Sequence, residues 1–345
     1  MWISLFPFPF LSAFVLTTGL ILIFLLVPIF RRKIWRFEER HRQKRAISRL
    51  GGMAMLISFI VIFLLEPHLV MTRELLGLLV GILFISLFGL LDDIAELGWK
   101  IQMFFQVALT VIIFIFGIRI TSLTNPFGGV WIFPTESFII PSFLILFIWL
   151  FLVMNAINWL DGLDGLCGGV SFITLLTIVF LSLKPEVNQP PIALLAAVGA
   201  AVTLSFLFFN IHPARILGGT VGSMFLGFLI TVLAVIAGTK IATALLVLAL
   251  PIADALWVIG GRLQAGVSIF LPDKRHLHYK LRELGWSEGH IAMVFFLVTA
   301  IIATIALSTQ ALGKFVAMVL VMAVVFSLLF FIERQTSGKK TRTSL

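Results

Sequence analysis

The stretch FIIPSFLILFIWLFLVMNAINWLDGLDGLCGGVSFITLLTIVFLSL, residues 138–183, places two long apolar runs on either side of a short polar segment. An apolar run of roughly 20 residues crosses a bilayer as a helix. The polar segment holds Asn155, Asn158, Asp161 and Asp164, with glycines at 162, 165 and 168. Polar groups next to hydrocarbon are expensive and mark a site or a water-filled cavity. Glycines let backbone N–H groups come close to a phosphate. One Asp-Gly alone would read as a helix cap or turn. The pattern Asn-x-x-Asn-x-x-Asp-x-x-Asp has helical spacing, and it points instead to a site built where one membrane helix ends and the next begins.

The whole chain repeats this character. Of 345 residues, 60% are hydrophobic and 12% charged. A soluble domain carries about 25% charged residues, so this is a polytopic membrane protein. The single cysteine, Cys167, excludes a disulfide framework, matches no metal-ligand spacing and reads as a small buried apolar residue. The net charge of +9 could suggest nucleic acid, but the basic residues sit between apolar spans, where they set membrane orientation. The N-terminus, MWISLFPFPF, lacks a basic n-region and a small-residue cleavage site, so it does not read as a signal peptide.

Apolar spans are expected over residues 8–30, 50–65, 74–91, 101–118, 138–156, 163–183, 191–209, 218–237, 241–260, 291–309 and 312–332. That is an all-α fold of about eleven transmembrane helices in one domain over residues 1–345. Twenty of the 25 lysines and arginines fall in 31–49, 92–100, 157–162, 210–217, 261–290 and the tail 333–345. The other five, Arg73, Arg119, Lys184, Lys240 and Lys314, fall in the alternate connections. The first set is therefore expected to be cytoplasmic, with the N-terminus external and the C-terminus inside.

The polar clusters then share the cytoplasmic face. The first, residues 31–52, is strongly basic and suits anionic lipid. It closes on Arg49-Leu50-Gly51-Gly52, which could hold a phosphate or serve tight helix packing. The second places Asp92 and Asp93 at the end of a span, with Lys100 and Gln102 opening the next. Adjacent acids can bind a divalent cation or accept a proton, or they can cap a hairpin with Lys100 as counter-charge. The third, Phe209 to Ser223, ends in Gly-Gly-Thr-x-Gly-Ser, which reads as phosphate-facing backbone or as small-residue packing. His212 reads as structural. The fourth, in the loop 261–290, is Pro272-Asp273-Lys274-Arg275-His276-Leu277-His278. It can grip phosphates, and no further Cys or His completes a zinc site. Asp254, inside the ninth span, reads as a hydrogen-bonded structural carboxylate several turns from the loop chemistry. The external segment 119–137, with Asn125-Pro126 and Gly128-Gly129, predicts a short hairpin.

Taken in order, Arg-x-Gly-Gly, Asp-Asp with Lys100, Asn-x-x-Asn-x-x-Asp-Gly-x-Asp-Gly, Phe-Asn-x-x-Pro-Ala-Arg and Pro-Asp-x-x-His-x-His resemble the polyprenyl-phosphate N-acetylhexosamine-1-phosphate transferases, glycosyltransferase family 4. The likeness covers about residues 31–290. Its His-x-His form is similar to the branch that uses UDP-N-acetylglucosamine to start cell-surface glycans. The resemblance implies transfer of N-acetylglucosamine-1-phosphate, or a related N-acetylhexosamine-1-phosphate, from a UDP-sugar to undecaprenyl phosphate, releasing UMP. It implies a bacterial plasma-membrane enzyme with a cytoplasmic site, dependent on Mg²⁺ with Mn²⁺ as the alternative ion, taking no nucleic acid as partner; a homodimer is the family expectation. Asp92, Asp93 and Lys100 match the catalytic positions. Arg49, Asn155, Asn158, Asp161, Asp164, Arg275, His276 and His278 match substrate-binding ones. Asn158 lies near the metal, and Asp161 is a further candidate ligand.

One departure bears on the metal. The family has Gly-Asp-x-Gly-Ser where this chain has Thr220, and that Asp is a metal ligand. A neutral hydroxyl is a poorer Mg²⁺ ligand than a carboxylate. Either Asp161 or Asp164 takes over, or the enzyme is weak, or the chain is an inactive relative acting as a scaffold for lipid phosphate or UDP-sugar. Tyr279 also stands where a third His is common, and Trp159 where an aliphatic residue is usual. A transporter is the remaining class. Its binding residues would lie near the midplane on broken helices of repeated halves, whereas no repeat is visible and the clusters share one face.

Overall fold

The computed structural model describes residues 6–27, 47–133, 139–238, 241–267 and 275–342, with 335–342 as backbone alone. Most of the basic stretch 31–49, together with Lys240 and Pro272-Asp273-Lys274, lies outside the described residues. The chain runs α1 Pro7–Leu26, α2 Gly51–Leu65, α3 Arg73–Ala95 and α4 Trp99–Ile115. A hairpin follows, β1 Ser122–Thr124 and β2 Val130–Ile132. Then come α5 Ile139–Leu160, α6 Leu166–Ser182, α7 Pro190–Asn210, α8 Gly219–Ile236, α9 Ile241–Val247 and α10 Ala249–Gln264. The chain ends with α11 Leu277–Glu283, α12 Glu288–Ser308 and α13 Ala311–Arg342.

Every expected apolar stretch holds helix among its described residues, and the protein is an all-α multi-pass membrane protein apart from its small hairpin. Seven helices (α1, α3, α5, α7, α8, α12 and α13) are long and apolar enough to cross a bilayer. The pair α9 and α10 makes an eighth if it counts as one span, and α2, α4 and α6 are shorter apolar helices. The hairpin forms where expected, with Leu123 opposite Trp131, and Asn125 and Gly128–Gly129 in its turn.

Three boundaries differ from expectation for local reasons. The ninth stretch is not one straight helix but bends by 74° between α9 and α10. Pro251 has no N–H to offer the carbonyl four residues back, and its ring crowds that carbonyl; the break falls just before it, at Leu248. The polar segment begins later than 157, because α5 winds through to Leu160 and keeps Asn155 and Asn158 helical. The segment after 333 is helical, continuing α13 to Arg342.

Burial ranks the helices. In α7 and α8, 83% of the apolar window is buried, against 17% in α13. The bundle is therefore built around α7 and α8, with α6 and α1 on α7 and with α5 and α3 on α8. The segment before α2 runs alongside the segment before α8: Ser48 bridges Ile216, and the Gly51 and Gly52 N–H groups donate to Leu217 and Gly218 carbonyls at 3.0 and 3.1 Å. A Cβ on Gly52 would collide with the Gly218 carbonyl and lie 2.6 Å from Gly222 Cα. The paired glycines thus serve close backbone approach, and their N–H groups are engaged by protein carbonyls rather than turned to a phosphate.

Candidate functional site

Asp92 and Asp93 lie in the last turn of α3, buried at 8% and 7% exposure. A carboxylate there opposes its own helix's dipole. The compensation comes from the opposite end of another helix. Asp93 accepts the Thr220 N–H at 2.9 Å and the Val221 N–H at 3.4 Å, in the first turn of α8. The Arg49 guanidinium stands 3.8 Å from the Asp93 carboxylate. Asp92 Oδ2 accepts the Thr220 hydroxyl at 2.7 Å, while Oδ1 accepts the Leu97 N–H and the Gln102 amide, both at 3.1 Å. The start of α8, read from sequence as phosphate-facing backbone, therefore faces these two acids.

One turn further along α8, the Ser223 hydroxyl donates to Asn158 Oδ1 at 2.6 Å. Asp161 follows, its Oδ1 3.9 Å from where a Gly218 Cβ would sit. Asn158 lines a cleft with Asn155, Gln102, Gln106, Trp99 and Trp159. Inside it Asn155 and Gln106 form a reciprocal amide pair, at 3.0 and 3.4 Å.

The His-x-His residues pack on the other side of the same segment. The His276 ring sits 5.4 Å from Trp159 and 5.7 Å from His278, stacked almost parallel on the latter. Gly162 lies against His278 Nε2 and the Tyr279 hydroxyl, so closely that a Cβ there would collide with both. Among the described residues, neither ring nitrogen of His278 has a hydrogen-bond partner. Burial, helped by His276 and Arg282, pushes its pKa from the ordinary 6.5 to about 3, against an opposing pull from Asp254. His278 is therefore a neutral imidazole. His276 instead faces Asp254, whose Oδ2 lies 2.9 Å from His276 Nδ1. The expected distance between Asp254 and the loop chemistry does not hold, because the bend at Leu248 re-aims α10.

Asp164 points away from the paired acids. Its Oδ2 accepts the Ala214 N–H at 3.0 Å and meets His212 Nδ1 at 2.9 Å, with Glu288 3.4 Å from the same nitrogen. Asp164, His212 and Glu288 form a group with metal-compatible spacing. Lys100 is exposed, its ammonium 5.8 Å from the Trp99 ring, and it is Gln102 that reaches Asp92. Arg275 is half-buried beside Gly261. The structure thus joins Arg49, Asp92, Asp93 and Thr220 through direct contacts and Asn158 through Ser223, with His276 and His278 reached through Trp159 and Gly162. Gln106, Ser223 and Asp254 complete the patch. A Gln one turn further into an apolar helix than Gln102 and a lone intramembrane Asp were the available signals for the first and last.

The donors around Asp93 suit a hard cation. Asp92, Asp93, the Asn158 carbonyl, the Thr220 hydroxyl and neighbouring Asp161 offer oxygen alone, the set Mg²⁺ and Mn²⁺ prefer. Of the two acids considered as substitutes for the missing carboxylate, Asp161 is on this side and Asp164 is engaged elsewhere.

A helical bundle with a polar, acid-rich patch built from helix ends and an imidazole loop defines a multi-pass membrane protein with one clustered candidate site. Residues 75–238 match the family described as glycosyl transferase family 4. The chain is 30% identical over 321 residues to a probable undecaprenyl-phosphate N-acetylglucosaminyl 1-phosphate transferase of Bacillus subtilis, covering 88% of this chain and 87% of the relative. It is 31% identical over 302 residues to a decaprenyl-phosphate N-acetylglucosaminephosphotransferase of Mycobacterium leprae, covering 79% and 75%. It is 28% identical over 346 residues to the undecaprenyl-phosphate alpha-N-acetylglucosaminyl 1-phosphate transferase of Escherichia coli, covering 92% and 89%. The chain belongs to glycosyl transferase family 4. That family is generally metal-dependent.

Proposed function

We propose that this protein transfers N-acetylglucosamine-1-phosphate, or a related N-acetylhexosamine-1-phosphate, from a UDP-sugar to undecaprenyl phosphate. UMP leaves, and the product is a lipid-linked sugar diphosphate. The names of the relatives support the reaction. The observation that carries it is the contact of Thr220 with both Asp92 and Asp93, which links the α3 acids to the start of α8 and through Ser223 to Asn158. The site would open to the cytoplasm from one domain over residues 1–345, with eleven crossings, the N-terminus external and the C-terminus inside. The basic-residue asymmetry supports that orientation.

The attack brings two phosphate anions together, so the task is neutralisation and positioning. A bound Mg²⁺ or Mn²⁺ would supply most of the neutralisation, held by Asn158, Thr220 and Asp161 beside Asp92 and Asp93. Asp92 and Asp93 accept the proton of the lipid phosphate and orient its oxygen. Arg49 holds Asp93 and offers charge to the same anion. Asn155 and Asn158 bind the nucleotide end in the cleft, where Gln106 fixes the Asn155 amide. Arg275, His276 and His278 flank the sugar diphosphate, while Asp164 holds the connection 210–217 before α8 through His212 and Ala214, close to the substrate. Lys100 reaches the site only by a change of its side-chain conformation, and its charge then serves the lipid phosphate.

The test is purified protein with labelled UDP-N-acetylglucosamine, undecaprenyl phosphate and MgCl₂. Labelled lipid and UMP are expected, with Asp92→Asn abolishing both. A wild type that produces neither, indistinguishable from Asp92→Asn, removes the transferase reading and favours a binding scaffold.

A further inference from the structure

Asp254 is a buried carboxylate at 2% exposure, on α10 just beyond the bend. Both of its oxygens are directed at the same place. Oδ1 accepts the Leu277 N–H at 2.7 Å, and Oδ2 meets His276 Nδ1 at 2.9 Å. Leu277 is the first residue of α11, so one carboxylate anchors both the helix start and the imidazole before it. An imidazole nitrogen facing a carboxylate oxygen carries the proton, which leaves the other nitrogen bare. Among the described residues His276 Nε2 has no hydrogen-bond partner. The ring cannot easily turn, because Trp159 lies on one side and the parallel His278 ring on another.

The contrast within the motif sharpens the point. His278, two residues on, has no partner on either nitrogen. Of these two, His276 alone is held in a defined tautomer by a buried acid. Burying an acid is costly unless the partner it gains has a use, and capping a seven-residue helix does not by itself require a charge.

We infer that Asp254 is a positioning residue of the transferase: it holds His276 as the Nδ1–H tautomer, so that Nε2 is the nitrogen offered to the diphosphate of the sugar nucleotide. This rests on the transferase reading given above. A proton taken up by Nε2 from solvent would give an imidazolium that donates to a phosphate oxygen of the sugar nucleotide, with the Asp254 carboxylate facing its Nδ1–H. His276 would be the group that touches substrate, and Asp254 acts through it.

Asp254→Asn separates this from a purely structural role. The amide oxygen can still accept the Leu277 N–H, which keeps the cap. Its NH₂ would then face His276 Nδ1 and force the proton onto Nε2. Nitrogen NMR of histidine-labelled protein, with the signal identified by its loss in His276→Gln, is expected to show protonated Nδ1 in wild type and protonated Nε2 in Asp254→Asn. The kcat of Asp254→Asn should fall on the order of 10- to 100-fold, with little change in KM or thermal stability. Asp254→Glu, which keeps the charge, should recover part of it and serves if the amide variant does not fold. A wild-type signal with Nε2 protonated, or full kcat in Asp254→Asn, overturns the inference. Failure of the transferase reading looks different: wild type would be silent toward UDP-sugar while the Nδ1–H signal remained.

Discussion

At the scale of single residues, Thr220 stands where the family resemblance implies an Asp, and its contacts say what a hydroxyl does there. The hydroxyl donates to Asp92 at 2.7 Å, which a carboxylate cannot do. Thr220→Asp would set a third acid against Asp92 and Asp93. Without a cation the three repel, and with one they make a stronger site. The variant should therefore melt below wild type in EDTA and regain or exceed it in millimolar MgCl₂, with faster turnover. A melting temperature that ignores MgCl₂ would count against a cation at this position. His278 supports a second prediction. Its folded form stays neutral down to about 3, whereas the unfolded residue protonates near 6.5. Between those values the unfolded state binds the extra proton, so stability falls as pH falls below 6.5. At a pH one unit below 6.5 the loss is about 1.4 kcal/mol. The groups around it, Asp254, His276 and Arg282, stay in place in His278→Phe, which should lose this pH dependence. Thermal melts at pH 7.5 and 5.5 decide it; equal losses in both proteins would refute the assignment. Most of these residues were legible from sequence, because acids, amides and imidazoles beside hydrocarbon stand out. Their partners were not. Ser223, Gln106 and Asp254 earn their places only through contacts between helices distant in sequence.

At the scale of elements, apolar length was enough to find every helix but the short polar α11, since hydrocarbon leaves the backbone little alternative. It could not find the bend between α9 and α10. That bend depends on one proline, and its consequence, bringing Asp254 to His276, depends on tertiary packing. Nor could it choose between phosphate binding and packing for Gly51 and Gly52. The structure shows their N–H groups on the carbonyls of Leu217 and Gly218, in a backbone contact that locks α2 to α8. This contact also carries Arg49 to Asp93. Gly52→Ala should push the two helices apart where a Cβ would meet Gly218 and Gly222. The cost expected is about 1–3 kcal/mol, the usual range for overpacking. Activity should fall more steeply than stability, because the start of α8 carries Thr220 and Ser223. A variant with wild-type melting temperature and turnover would show that the contact is looser than it looks.

At the scale of the whole molecule, the open quantity is how many times the chain crosses the membrane. Seven helices qualify on length, and the answer turns on whether α2, α4, α6 and the bent pair α9–α10 each complete a crossing. The polar contacts favour that they do. The acids at the end of α3, the start of α8, the end of α5 and the helix after α10 touch within one patch, and alternating short and long helices return the chain to that side each time. Eleven crossings also place twenty of the 25 basic residues on the same side as the patch. Cysteine labelling can read this directly, because the native Cys167 is buried and should not react. Glu186 and Glu283 are both exposed, the first in the turn before α7 and the second at the end of α11 beside the His-x-His residues. With a membrane-impermeant maleimide, Glu186→Cys should label in intact cells, and Glu283→Cys only after permeabilisation. If Glu283→Cys labels from outside, the patch faces away from the cytoplasm, where UDP-sugars are made, and the orientation would have to be reversed. If both label from outside, an even number of crossings separates the two sites, and the bent pair α9–α10 between them enters and leaves on one face.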